Sequence, residues 1–170
     1  MAEALLASRL AALGSATTVR SGGMLGNGEP PRVEAITVMA GYGLDIAAYH
    51  SRRVTAEDLE AADLTLAMAR ENLRHAVVTA PAVWPRAFTL RELVRRGGAV
   101  GPRAAREDLS GWLARVHDGR ERAALLGDSA TDDVADPAGG PPGGYVETAA
   151  ILSGLLDQLV ALCWDTEESG

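Results

Sequence analysis

Residues 55–88 read TAEDLEAADLTLAMARENLRHAVVTAPAVWPRAF, and this stretch sets the fold class. Thr55, with Asp58 three residues on, has the form of a capping box and opens a short helix through about Ala61. Leu64 to Met68 (LTLAM) is a buried apolar run of strand length. Asn72 to Val78 is helical and is cut off by Pro81. Arg86 to Phe88 then makes a second brief strand. Helix, strand, helix, strand is the order of an α/β domain with a parallel sheet.

Working outward toward the C-terminus, Thr89 and Glu92 repeat the capping signature for a helix to Arg96, and Gly97, Gly98, Gly101 and Pro102 predict a loop. Leu109, Trp112, Leu113 and Val116 recur at helical spacing, so 109 to about 126 is expected to be mostly helix. Residues 127–144, GDSATDDVADPAGGPPGG, carry four Asp, three Pro and five Gly, a composition that predicts a loop. Tyr145 to Trp164 is amphipathic through Val146, Ala149, Leu152, Leu156, Leu159 and Cys163, and 165–170 is a polar tail.

Toward the N-terminus, Pro31 suits the first turn of a helix whose buried stripe would be Val33, Ile36 and Ala40. Gly41 or Gly43 ends that helix. Thr17 to Met24 predicts a strand, and Met1 to Leu13 a helix with Leu6, Leu10 and Leu13 on one face and Gly14 at its end. No Ser, Thr, Asp or Asn caps that first helix. Three strands are thin for 170 residues, and a fourth ahead of Met1 would complete the sheet.

Composition narrows the function. The net charge of -7 argues against a nucleic-acid partner. All 16 basic residues are Arg, a bias expected of a GC-rich genome rather than of arginine-based recognition. One cysteine, Cys163, leaves no internal disulfide and no cysteine-rich metal site, and three scattered His have no ligand spacing. Asp157 and Gln158 interrupt the longest apolar run, and no signal segment opens the chain. The expectation is a cytoplasmic protein without a membrane span.

Residues 43–75, GLDIAAYHSRRVTAEDLEAADLTLAMARENLRH, resemble the low-molecular-weight protein tyrosine phosphatases. Gly43, His50, Arg53, Val54, Thr55, Asp58, Asp63, Met68 and Asn72 match that family in order. Val19, Ser21 and Gly22 resemble its Val-x-Ser-Ala-Gly strand, Asp136-Pro137 its acid loop, and Met1 to Leu6 the helix after its Cys-x5-Arg phosphate loop. The resemblance implies a flavodoxin-like three-layer α/β/α fold with a small parallel sheet, residues 1–170 forming one domain and 127–144 the acid-loop region. It implies hydrolysis of a phosphotyrosine protein or small phosphoester through a cysteinyl-phosphate, with no metal or organic cofactor. Asp136 is then the general acid, and His50 and Asn72 support the phosphate loop by hydrogen bonds.

Met1 coincides with the Met that follows the family's loop. The first strand, the nucleophilic Cys and the phosphate-binding Arg are therefore expected upstream of a start set too far downstream, and the chain is expected to be inactive. Ala138 and Gly139 stand where many members have aromatic residues that frame the phosphotyrosine ring. The residues also allow blander readings. Asp before Pro commonly starts a turn, and Asp132 and Asp133 read as solvated loop charges. Cys163 reads as a buried structural thiol, Gly26-Asn27-Gly28 as a connecting loop, and Arg52/Arg53 and Arg95/Arg96 as solvated helix ends. A catalytically dead binding or regulatory module is a rival from another class. An arsenate reductase is less favoured, because its chemistry needs further cysteines. Oligomeric state stays open.

Overall fold

A computed structural model describes residues 1–26 and 28–164; Asn27 and the polar tail 165–170 lie outside the described residues. The chain divides into two compact units, Met1–Val54 with Val134–Asp157, and Thr55–Asp133 with Gln158–Gly170.

The second unit carries the sheet. Helix α3 (Ala56–Ala61) opens on a complete capping box, in which the Thr55 side chain accepts from the Asp58 amide while the Asp58 carboxylate accepts from the Thr55 amide. Such a cap is worth about 1 kcal/mol. Strands β1 (Thr65–Ala67) and β2 (Ala87–Thr89) pair in parallel, Leu66 opposite Phe88. Helix α4 (Arg70–Thr79) and a 3-10 turn over Pro81–Arg86 connect them. Helix α5 (Leu90–Val100) follows β2 directly, and α6 (Leu109–His117) packs on it. Phe88, Leu90, Leu93, Val83, Trp112 and Val116 form the buried centre. The architecture is α/β, a reduced flavodoxin-like fold built on a two-stranded parallel sheet flanked by helices.

Helix α5 overruns the loop expected at Gly97 and Gly98, and both glycines are helical. Gly97 is there for space: a Cβ on it would lie 2.8 Å from Cζ2 of Trp112. The helix expected to reach residue 126 stops at His117 instead. Gly119, with a φ of +70°, turns the chain so that Arg120 folds back, and a 3-10 turn covers Arg122–Leu125.

In the first unit, α1 (Ala2–Ala12) ends in a Schellman motif: the Gly14 amide donates to Ala11 and the Ser15 amide to Leu10. Its buried residues are Ala4, Leu5, Leu6 and Leu10, whereas Leu13 is exposed. Helix α2 (Val33–Gly41) ends the same way at Gly43. Its buried face is Ala35 and Met39, not the expected Val33–Ile36–Ala40 stripe, and Val33 is 74% exposed. The helix is apolar on both sides, so spacing alone does not choose the face. Pro31 precedes the N-cap Arg32 rather than opening the helix.

The strand expected at 17–24 is reduced to a bridge between Gly23 and Arg53. A strand needs a ladder partner along its length, and among the described residues only this one bridge forms there. Helix α7 (Gly144–Cys163) is long and apolar enough to cross a bilayer by length and composition. However, Ala149, Leu152, Leu156, Leu159 and Cys163 recur on one side of it and are all buried in protein, the pattern of a core helix. Arg9 ties α1 to it through Ser153 Oγ at 2.7 Å and Asp157 Oδ1 at 2.5 Å.

Candidate active site

The first turn of α1 has no side-chain cap, and its acidic residue, Glu3, reaches into the loops that follow. The Ser21 hydroxyl donates to the Glu3 carboxylate. Burial raises the Tyr49 phenol above its ordinary pKa, and the charge and hydrogen-bonding carboxylate of Glu3 add to that rise. The two loops are joined by their backbones. Gly23 N–H donates to Arg52 O at 2.9 Å, Val54 N–H to Gly23 O at 3.0 Å, Gly28 N–H to Ser51 O at 2.9 Å, and Ser51 N–H to Glu29 O at 2.8 Å. Gly26 lies so close to this seam that a Cβ would sit 1.9 Å from the Arg52 carbonyl carbon. Its glycine thus serves loop packing.

His50 sits at the edge of this seam, exposed, with Nδ1 3.1 Å from the Ala48 carbonyl. Asp136 is also exposed, and its Oδ1 accepts from the Ala138 amide at 2.9 Å, an Asx turn across Pro137. The same unit thus holds His50 and Asp136, each hydrogen-bonded within its own loop. Asn72 belongs to the other unit, exposed on the first turn of α4.

The largest departures from expectation are Asp132 and Asp133. Asp132 is 5% exposed, not a solvated loop charge. Arg70 donates to its Oδ2 from Nη2 at 2.8 Å and Nε at 3.2 Å, and Arg95 Nη2 donates to Oδ1 at 3.0 Å. Burial alone would push the carboxyl up, but the hydrogen bonds and charges of both arginines outweigh it and hold its pKa below the ordinary value. Asp133 accepts from the Arg70 amide at 2.7 Å, capping α4 from 63 residues away. Arg96 does complement a helix C-terminus, as expected, but that of α6: it donates to the carbonyls of Val116 and Asp118.

A second cluster also has no local sequence signal. Arg120 donates to both Glu92 oxygens, at 2.8 and 2.9 Å, with its guanidinium 3.9 Å from the ring centroids of Trp84 and Phe88. Glu92 therefore leaves the capping box it was expected to complete, and only the Thr89 half forms. All donors of this cluster point into the fold, so its role is packing. Cys163 is buried and its thiol is pushed up to about 12, burial outweighing the opposing charge of Arg103. A thiol in that state is no nucleophile. Among the described residues, no group of three His, Cys, Asp or Glu could hold a metal ion.

The family model for low molecular weight phosphotyrosine protein phosphatase matches residues 1–99. No curated protein matches the chain. Among solved structures, the low molecular weight protein tyrosine phosphatase from T. tengcongensis is 31% identical, with 94% of this chain and 86% of that one covered and a TM-score of 0.68. A low molecular weight protein tyrosine phosphatase from Bacillus subtilis is 27% identical over 95% of this chain and 85% of its own, at a TM-score of 0.65. The YwlE arginine phosphatase, as a cysteine-to-serine mutant with a phosphorylated active-site serine, is 26% identical over 93% of this chain and 82% of its own, at a TM-score of 0.66. By the match of more than half its length and the likeness of nearly all of it, the chain belongs to the low-molecular-weight phosphotyrosine protein phosphatases.

Proposed function

We propose that this chain is the greater part of a cytoplasmic phosphatase domain acting on phosphotyrosine proteins or small phosphoesters, and that by itself it is inactive. The observation that carries the second half is in the sequence: its one cysteine is Cys163, and no Cys-x5-Arg motif occurs in the chain. The first half rests on the family match over residues 1–99. The phosphorylated serine in the mutant arginine phosphatase fits a covalent route in this fold.

In that route a cysteine thiolate, supplied by a loop ahead of Met1, attacks phosphorus. The P–O bond to the leaving group breaks as Asp136 gives it a proton. Water then attacks phosphorus, giving a proton to the Asp136 carboxylate as the new P–O bond forms and the S–P bond breaks, and phosphate and thiolate are released. His50 and Asn72 hold the phosphate loop by hydrogen bonds. The open N-terminal end of α1 supplies backbone N–H groups and positive dipole to the dianion.

The test is turnover of p-nitrophenyl phosphate. The 170-residue chain and its Cys163→Ser variant should both stay at background, and the chain extended by a Cys-x5-Arg loop ahead of Met1 should be active. Turnover by the 170-residue chain that survives Cys163→Ser would overturn the proposal. A silent extended chain that folds would instead favour a catalytically dead binding module.

A further inference from the structure

Helix α2 has two apolar faces, and the fold uses one of them. Ala35 and Met39 are buried, whereas Val33, Ile36 and Ala40, at helical spacing, line the other side. Val33 is 74% exposed there, and Ala40 is exposed as well. The turn that ends the helix extends this face. The Leu44 amide donates to the Met39 carbonyl at 3.0 Å, and a hollow of about 250 Å³ is lined by Ile36, Ala40, Gly43, Leu44 and Asp45. One stripe therefore carries a projecting side chain at its start and a hollow at its end, about 10 Å apart along the axis. Charge follows the same polarity. Arg32, the N-cap residue, is exposed and has no ion pair among the described residues. Asp45 is exposed at the other end, its Oδ1 accepting from the Ala47 amide at 2.8 Å. Glu34 lies about 100° round the axis from Val33, to the side of the stripe.

We propose that this face of α2 is an interface with a second copy of the chain, the two helices running antiparallel about a twofold axis. A twofold interface has to be self-complementary, and this stripe is. Val33 of each copy enters the hollow formed by the partner's Ile36, Ala40 and Leu44, and Arg32 of each meets the partner's Asp45. The antiparallel order also sets Arg32 against the C-terminal end of the partner helix, the favourable end for a cation. A parallel pair would place Arg32 beside the partner's Arg32 and leave both hollows unfilled. Ala40, with no side chain beyond Cβ, lets the axes approach to the distance of about 8–10 Å found between packed helices. The dimer is weak. Helix α2 has nine residues, and a pair that short falls below the roughly 1,200 Å² that stable complexes bury. Each copy also carries a net charge of -7. A dissociation constant on the order of 100 µM is expected.

Sedimentation equilibrium of the 170-residue chain from about 10 µM to about 1 mM tests it. The expected result is a reversible monomer–dimer equilibrium. Val33→Asp should weaken it by about 10-fold or more. Because Val33 is 74% exposed, the fold should be unaffected, which an unaltered thermal melt checks. Arg32→Glu and Asp45→Lys should each weaken the dimer to a similar degree, since each sets like charges together at both ends. An equimolar mixture of those two variants should dimerise within about threefold of the parent chain, because both ends of the mixed pair again join opposite charges. A structural lesion from either substitution would persist in the mixture. A chain that stays monomeric at about 1 mM overturns the proposal and leaves the face to a different protein. Association that survives Val33→Asp, or a mixture no tighter than either variant alone, overturns it too and assigns the contact to another surface.

Discussion

Gly97 of α5 faces the indole of Trp112 so closely that a single added methyl would meet Cζ2 at 2.8 Å and Cη2 at 3.1 Å. Gly98, its neighbour, has nothing within 4 Å of where its Cβ would be. The pair separates two effects that usually travel together. Both sites are helical, so alanine is favoured by about 1 kcal/mol on propensity alone. Gly98→Ala should therefore stabilise the protein by about 0.5–1 kcal/mol. Gly97→Ala must push a fully buried ring, and overpacking of this kind costs about 1–3 kcal/mol. Its net effect should be destabilising, read as opposite shifts of the urea midpoint for the two variants. A stabilised Gly97→Ala protein would mean that the ring has room to move.

Arg120 holds Glu92 in a two-pronged ion pair while lying between two aromatic faces, and its side chain is 2% exposed. Breaking one partner of a buried pair costs about 3–5 kcal/mol, because the other charge is left unpaired in a dry site. Glu92→Gln should fall in that range. Arg120→Lys should recover little, since an ammonium cannot make the fork, lie flat between Trp84 and Phe88, and also reach the carbonyls of Trp84 and Ala87. Urea unfolding of the two single variants and the double variant checks this. Near-additive losses would show that the two residues do not act as a pair.

What could be read from the sequence follows the range of the interaction. Thr55 with Asp58, and the glycines that end α1 and α2, act within four or five residues, and each does in the structure what its spacing implies. Strands β1 and β2 lie within a residue of the expected places because apolar runs bounded by turns are local as well. Several of the failures depend on a partner far along the chain. Gly97 is a glycine inside a helix rather than a loop residue, its missing side chain leaving space for Trp112, and Glu92 abandons its cap for Arg120. Residues 17–24 form no strand because a ladder has to be supplied from elsewhere, and Asp132 is buried because Arg70 and Arg95 meet it there. His50, Asn72 and Asp136 are proposed as site residues through resemblance alone. Nothing in their own neighbourhoods distinguishes them from a loop histidine, a helix-start asparagine and a turn aspartate.

His117 makes the stability of the second unit depend on pH. Its Nδ1 lies 3.1 Å from Arg120 Nη1, and a guanidinium can only donate. The ring is thus an acceptor there and must be neutral. Burial, followed by the charges of Arg120 and Arg96, lowers its pKa below the ordinary value. Because the folded form binds the proton less readily than the unfolded one, the contribution is present above the unfolded pKa of about 6.5 and is lost as pH falls through the lowered folded value. Stability should fall as the pH drops below about 6.5, with a slope approaching but not exceeding about 1.4 kcal/mol per pH unit. His117→Gln keeps an acceptor without a titrating group and should flatten that slope. Equal slopes in urea midpoints measured across this range would assign the pH dependence to another group.

Cys163 should be inert in the folded chain and ordinary once unfolded. With its thiol pushed up to about 12, the thiolate fraction at pH 8 is about one in ten thousand, and the thiolate is the reactive form. The side chain is also closed off at the end of α7. Arg103 donates its amide to the Leu162 carbonyl at 2.8 Å and its Nε to the Cys163 carbonyl at 2.6 Å, sealing the last turn. Labelling by a disulfide reagent at pH 8 should therefore proceed only through opening of the helix end, and it should become immediate in guanidinium. Arg103→Ala removes the side-chain seal and should speed labelling of the native chain by about 10-fold or more. It also removes the one charge that favours the thiolate, so a faster reaction can only come from better access. Rapid, stoichiometric labelling of the native chain with its circular dichroism intact would show that the thiol is exposed, and the case against Cys163 as a nucleophile would then have to rest on the sequence alone.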